Sequence, residues 1–399
     1  MGITMRPTGL HLLLVSTSRE WTRAVETAAA RIGAGAVEAA GSGREAIARL
    51  VTTPRPYSHV LVQPSCSDGL IEDLHGLTSG EVGSDTRLLL LGPPATPAPR
   101  IRVIAQASPQ SVGAALADAA VEWPSGRPPG MLAKDVRDAL TGSMIETRYQ
   151  PVVRMSDGAC VGMEALARLR HPAHGMLAPT HFVPQVEDAG LAGQLTDAVA
   201  RRALAELSRP ALDGRDLTIA LNFPLDIVLV PETMARLDAQ CAAAGVRPEQ
   251  IIVELTESRP VDDLAALRRS IERVRRGGYG LAIDDLGPSV PHHAALLQMP
   301  FTAVKLDIEV IRDMHGEDGR AFLLDTIETA RARGMTIIAE GVEDRDTWRR
   351  LAARGVDHAQ GFLISRPLPA AALPIWLDAW TARRAQLVQA LRGEPDHTS

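Results

Sequence analysis

Gly280-Leu281-Ala282-Ile283-Asp284-Asp285-Leu286-Gly287 reads as a buried strand that ends in two adjacent carboxylates and breaks at a glycine. Two neighbouring aspartates at the mouth of a strand repel each other unless something cationic stands between them. Taken alone, the pair is equally well a helix cap or a solvated loop. Its meaning depends on whether the rest of the chain sends partners to the same place.

Working outward, predicted strands alternate with helices from Ala133 to about Leu391, a length typical of a closed eightfold barrel. The strands are expected at 146–153, 159–164, 217–222, 251–254, 280–284, 303–307, 336–340 and 358–362. Amphipathic helices are expected between most of them, at 199–207, 261–276, 319–333 and 346–354 among others. Seven strands finish in a group able to hold a cation or an anion. In order these are Glu164, Asn222, Glu254, Asp284 with Asp285, Lys305 with Asp307, Glu340, and Gln360. Each has an ordinary reading by itself, as a turn cap, a surface ion pair or a solvated charge. Their recurrence on strand bodies of Val, Ile, Leu and Ala points instead to one shared site, because parallel strands of a barrel converge at their carboxyl ends.

The ligand types set the chemistry. Several carboxylates plus one amide oxygen make a hard, all-oxygen site that favours Mg²⁺ or Mn²⁺ over zinc. That much negative charge can hold two ions about 3.5–4 Å apart, the arrangement used in phosphodiester cleavage. Lys305, alone among the acids, can orient a nucleophile or neutralise a phosphoryl oxygen.

Residues 148–370 resemble an EAL domain, the phosphodiesterase domain of cyclic di-GMP signalling. The resemblance rests on Glu164-Ala165-Leu166-Ala167-Arg168-Leu169-Arg170-His171-Pro172, preceded by Tyr149-Gln150-Pro151-Val152-Val153. It continues through Leu221-Asn222, Glu254-Leu255-Thr256-Glu257-Ser258, Asp284-Asp285, Lys305-Leu306-Asp307, Ala339-Glu340-Gly341-Val342-Glu343, Ala359-Gln360-Gly361-Phe362 and Ser365-Arg366-Pro367-Leu368-Pro369. It implies a modified (β/α)₈ barrel that hydrolyses cyclic di-GMP to linear pGpG with two Mg²⁺ or Mn²⁺ ions, and a homodimer. By motif position it implies Glu164, Asn222, Glu254 and Asp284 as ligands of one ion, with Asp284, Asp285 and Glu340 serving the second. Lys305 would position the attacking water, supported by Gln360 and Glu343. Gln150 would contact a guanine, Arg168 and the Leu166 backbone would hold the substrate, and Glu257 and Asp307 would support the loops.

The sequence departs from this pattern after Asp285. The family usually continues Phe-Gly-Thr-Gly-Tyr-Ser-Ser, whereas this chain reads Leu286-Gly287-Pro288-Ser289-Val290-Pro291-His292-His293. Prolines replace flexible glycine and hydroxyl groups without removing a metal ligand. His292 and His293 read as a loop pair rather than as ligands. A second departure is Asn222-Phe223-Pro224, where Val-Ser usually follows the asparagine. The intact ligand set favours an enzyme; the altered loop keeps open a receptor or scaffold that binds the nucleotide without efficient turnover.

The first 122 residues repeat the strand–helix alternation on a smaller scale. Strands are expected at 9–18, 36–40, 59–62, 87–91 and 101–105, with helices at 43–51 and 109–123 among others, which argues for a flavodoxin-like parallel sheet. This half resembles a response-regulator receiver, with Gly41-Ser42-Gly43-Arg44-Glu45-Ala46-Ile47 as the local match. Receiver chemistry needs an acidic pair after the first strand, an aspartate after the third and a lysine after the fifth. Here those places hold Ser16-Thr17-Ser18, Gln63, and Ala105 with Gln106, and Asp68-Gly69 reads as a turn. The resemblance therefore implies a pseudo-receiver that serves dimerisation or meets a protein partner. A Pro/Gly-rich linker at 123–132 separates it from the barrel at 133–391, and a polar tail follows at 392–399.

Composition sets the outer limits. The apolar share is 45% and the charged share 23%, ordinary for a globular chain of 399 residues. Aromatics make up only 3% and the net charge is -6, which argues against a nucleic-acid polymer as partner. Cys66, Cys160 and Cys241 show no metal-type spacing and read as inert thiols. No apolar run approaches a membrane span, so no membrane insertion is expected, and a cytoplasmic location is.

Overall fold

The computed structural model describes residues 10–52, 57–68, 70–78, 86–92, 102–117, 133–141, 144–171, 175–208, 212, 215–256, 263–288, 290, 293–313 and 316–392. The expected linker at 123–132 and residues 393–399 of the expected tail lie outside them; residue 392 closes the final helix, Leu373–Arg392. The chain divides into two compact units, one built on residues 1–130 and one on most of 131–399.

The first unit is a five-stranded parallel sheet of β1 (His11–Val15), β2 (Ala36–Ala40), β3 (His59–Val62), β4 (Arg87–Leu91) and β5 (Arg102–Ile104), in the order β2-β1-β3-β4-β5. This is the flavodoxin-like doubly wound order. Its logic is visible in composition. The central strands are nearly pure Leu and Val and wholly buried, while the edge strand β2, Ala-Val-Glu-Ala-Ala, is mostly open. On one face Leu12, Leu14, Leu61, Leu89 and Leu91 pack against Trp21, Val25 and Ala28 of the helix Arg19–Ile32 and Val112 and Leu116 of the helix Pro109–Ala117. Ser18 starts the first of these helices by accepting from the Trp21 amide, and Gly33 ends it at φ 70°.

At the carboxyl ends of β1 and β3, Ser16 donates to Gln63 at 2.8 Å and Thr17 meets the Cys66 sulfur at 3.5 Å. Asp68 turns away into a left-handed turn (φ 54°) and accepts from the Arg44 amide at 3.2 Å. The polar groups found here satisfy one another without a carboxylate pair.

The second unit is a closed barrel. Its strands are β6 (Ile145–Arg154), β7 (Cys160–His171), β8 (Gly175–Leu177), β9 (Thr218–Pro224), β10 (Ile251–Thr256), β11 (Gly280–Leu286), β12 (Ala303–Leu306), β13 (Thr336–Ala339) and β14 (His358–Ala359). Eight of them form the ring β6-β14-β13-β12-β11-β10-β9-β7, closed by the β6–β7 pairing, with β8 appended outside it. β6 is antiparallel to both neighbours, and the rest of the ring is parallel. All eight expected strands are present, and two differ in length by more than two residues. β7 runs seven residues past Glu164 because it pairs along β6. β14 stops at Ala359 because Gly361, at φ 155°, brings its backbone so close to Val342 that a Cβ there would lie 2.3 Å from the Val342 nitrogen.

The interior is layered by the two-residue period of the strands. Val152, Ala282, Ala303 and Ile338, with Val161 and Ile252, make an apolar plug. One period nearer the mouth, Gln150, Asp284, Lys305, Glu340 and Glu254 succeed them. The polar site thus stands on a floor of aliphatic side chains.

Candidate active site

Lys305 sits at the centre of the polar layer, only 1% exposed. Its ammonium lies 2.6 Å from Glu340, 2.7 Å from Asp284, 3.1 Å from Glu254 and 3.3 Å from Glu164. Around this core, Asn222 donates to one oxygen of Glu164 at 2.7 Å and Gln360 donates to the other at 2.7 Å. The same Gln360 amide reaches Gln150 at 3.1 Å, and Gln150 donates onward to the Ser365 carbonyl. Seven strand ends and the antiparallel β6 are thereby tied into one network.

Asp285 joins through its backbone. Consecutive strand residues face opposite sides, so Asp284 and Asp285 should diverge. The register slips between Ile283 and Leu286, and Asp285 takes a left-handed φ of 48°. Aspartate tolerates that conformation better than most residues, and the resulting bulge brings both carboxylates to one side. Ligand-type oxygens of Asp284, Asp285 and Glu340 fall within 4.8 Å of one another, as do those of Glu164, Glu254 and Asp284. Asp284 belongs to both groups.

Charge does not balance here. Five carboxylates surround one ammonium in a space sealed from below. Burial, then repulsion from the neighbouring acids, pushes Glu254 and Glu340 well above the usual carboxylate range despite Lys305. Burial pushes Asp284 up to about 6. Burial also acts upward on Glu164, but Lys305 and the amides of Asn222 and Gln360 outweigh it and hold this carboxyl low. Burial pulls on Lys305 in the opposite sense, and its four acidic neighbours more than compensate, raising it well above the ordinary lysine value. The donor set is all oxygen, acidic and short of positive charge, so it fits divalent cations of the hard class.

A pH dependence follows. A carboxyl whose folded-state pKa exceeds its unfolded one favours folding at low pH and loses that contribution as pH rises through the folded value. For Asp284 the window runs from the ordinary 3.8 to about 6. With chelator present, the thermal midpoint of the wild type is expected to fall across this window relative to Asp284→Asn, and a divalent salt should remove the difference. Parallel curves for the two proteins in chelator would refute the assignment.

The remaining expected site residues divide. Arg168 is buried on β7, donates to the Ala167 carbonyl at 2.7 Å, and is drawn down to about 10 by burial. Leu166 lies across from Arg148 on β6. Asp307 caps the helix Ile308–Arg312 by accepting from the Glu309 amide. Glu343 stands apart from the acidic network, exposed, with Arg312 at 4.0 Å. Glu257 and His292 lie outside the described residues. His293 contacts the Val290 carbonyl and sets its ring edge against Phe322, in neither metal-type group. All three cysteines are free thiols, and burial pushes Cys160 up to about 12.

Sequence reasoning passed over two members of the mouth, Glu146 and Arg148. Thr147 and Tyr149 both donate to Glu206 on the outer helix Ala192–Leu207, so odd positions of β6 face outward. Glu146 and Arg148 therefore share the inner face with Gln150. The parity was available in the strand itself, two and four residues before Gln150.

Fold and site together define a (β/α) barrel with an acidic, cation-type centre at its strand ends. The chain belongs to the EAL domain family, whose description matches residues 133–367. It is 32% identical over 236 residues to a cyclic di-GMP phosphodiesterase of Pseudomonas aeruginosa, covering 59% of this chain and 40% of that protein. A second cyclic di-GMP phosphodiesterase of the same organism, NbdA, is 32% identical over 255 residues, 62% of this chain and 32% of that protein. The chain thus matches well under half the length of these curated relatives. Among solved structures, the MucR phosphodiesterase in complex with cyclic di-GMP aligns with a TM-score of 0.56 at 30% identity, over 60% of this chain and 98% of that one. An EAL domain protein from Listeria monocytogenes aligns at 0.54 and 25% identity, over 61% of this chain and 97% of that one. No helix among the described residues is long and apolar enough to cross a membrane.

Proposed function

We propose that this chain is a divalent-metal-dependent phosphodiesterase that opens cyclic di-GMP to linear pGpG. The observation that carries the reading is the pair of carboxylate groups sharing Asp284, built around Lys305. Glu164, Asn222, Glu254 and Asp284 would hold one Mg²⁺ or Mn²⁺ ion, and Asp284, Asp285 and Glu340 the second. When bound, such ions supply Lewis acidity toward the phosphoryl oxygens and make a water acidic enough to attack near neutral pH. The protein's part is positional. Gln360 and Asn222 fix the two oxygens of Glu164, the bulge at Asp285 aims its carboxylate, and Lys305 brings hydrogen-bond donors to the axis for the attacking water. Arg168, a buried guanidinium four residues beyond Glu164, would balance substrate phosphate.

The first unit fits a regulatory role as a pseudo-receiver, because the Ser16–Gln63 hydrogen bond occupies the place where phosphoryl chemistry would need carboxylates. A homodimer, or a protein partner met through this unit, is part of the same proposal. Pro288 and the residues around it favour one other reading, a receptor that binds cyclic di-GMP with little turnover.

Incubating the purified chain with cyclic di-GMP and Mg²⁺ or Mn²⁺ separates the two. Formation of pGpG, abolished by chelator, is the expected result. Tight binding by calorimetry with no pGpG after prolonged incubation would select the receptor, and absence of both would reject the nucleotide altogether.

A further inference from the structure

Beyond the acidic centre, the mouth of the barrel carries a second charged cluster of opposite sign. β6 and β7 pair Gln150 with Glu164, Arg148 with Leu166, and Glu146 with Arg168. Arg148 therefore lies one two-residue step, roughly 7 Å, outward from the Gln150–Glu164 layer along the wall that a substrate must line. Three guanidiniums, Arg148, Arg168 and Arg170, face one carboxylate there. Glu146 accepts from Arg148 at 3.3 Å through one oxygen and from Arg170 through the other.

Arg148 is 8% exposed, and burial draws its guanidinium down from the ordinary arginine value. Its NH1 group is spent on Glu146 and on the Thr147 carbonyl at 3.2 Å. The remaining edge, Nε with NH2, has no partner among the described residues. That edge offers two parallel N–H donors, a fork that matches two adjacent acceptors. Glu146 offsets part of the charge of Arg148 directly, through the ion pair at 3.3 Å. With one edge held by Glu146, the open fork of Arg148 suits a neutral ligand edge, while Arg168 keeps the phosphate role proposed above. The segment that accepts from Gln150 through Ser365 also carries Phe362, 45% exposed with Arg366 4.2 Å over its ring.

We propose that Arg148 is a specificity-determining residue that reads the O6/N7 edge of a guanine base, so that it selects guanine over adenine in a cyclic dinucleotide. The assignment rests on the phosphodiesterase or receptor reading given above. Adenine offers N7 but carries an amino donor where guanine has O6, so the fork meets one acceptor and one repelling group.

The test measures equilibrium binding of cyclic di-GMP, cyclic di-IMP and cyclic di-AMP to the full chain, wild type against Arg148→Gln and Arg148→Lys. Inosine keeps O6 and N7, so both guanine-type ligands should weaken by about tenfold to hundredfold in either variant, and cyclic di-AMP by less than about threefold. Lysine keeps the charge but cannot fork. Glu146 keeps Arg170 as partner in both variants, so neither strands a buried carboxylate, and thermal midpoints should stay near wild type. Equal weakening of all three ligands, or no weakening of any, would overturn the role of Arg148 while leaving the proposed function standing. A wild type that binds no cyclic di-GMP would overturn both.

Discussion

Asp284→Asn is expected to lower kcat/KM for cyclic di-GMP by about a thousandfold or more, an order set by removal of one preorganised electrostatic partner, while the barrel stays folded. Asp284 is the one residue common to both carboxylate groups, so a single oxygen-to-amide change weakens two cation sites together. The same change should leave the metal-free protein at least as stable near pH 8, because burial already disfavours the charged form of this carboxyl. Activity and stability thus move in opposite directions, which a general disruption of the fold would not produce. Turnover within about tenfold of wild type would remove Asp284 from its shared position.

Lys305→Met should have the largest effect on stability. Losing one partner of a buried ion pair costs about 3–5 kcal/mol, because the abandoned charges cannot reach water. For a unit of this size that corresponds to a fall of about 6–20 °C in the thermal midpoint, measured in chelator near pH 8. Four carboxylates lose their common counter-charge at once. A divalent salt at about one hundred times its Kd should return about 2.7 kcal/mol, since it binds the folded acids and not the unfolded chain. The variant would then unfold normally with metal and early without it, yet lack the hydrogen-bond donors needed for turnover. Equal midpoints for wild type and variant in chelator would show that Lys305 does not hold the acids together.

Much of this architecture was legible in the sequence because its signals are local. Runs such as Leu12–Val15 and Ile251–Val253 admit little but buried strands, and each later run stops at a polar residue whose type differs from the strand body. What escaped depends on direction. Nothing in Ile145–Arg154 says that this strand runs opposite to the others, since it is buried on both faces and so lacks the one-sided alternation that often marks an antiparallel strand. The acidic pair at 284–285 announces itself, but its convergence requires a left-handed residue that spacing alone does not reveal. Glu343 illustrates the reverse. Motif position implied it as a support for Lys305, whereas the chain turns at Gly341 and it stands exposed near Arg312. Glu146 and Arg148 carry no strand-end signal, because an inverted strand presents its beginning to the mouth.

The aliphatic layer of Val152, Ala282, Ala303 and Ile338 has a consequence for traffic. It floors the barrel with apolar side chains, so under the proposed function substrate, ions, water and product would share the mouth at the strand ends. A product left in the neck would then obstruct the next substrate, so departure and arrival would alternate rather than pass through. The same geometry simplifies control: a stopper over the opening silences every step at once without displacing a single ligand.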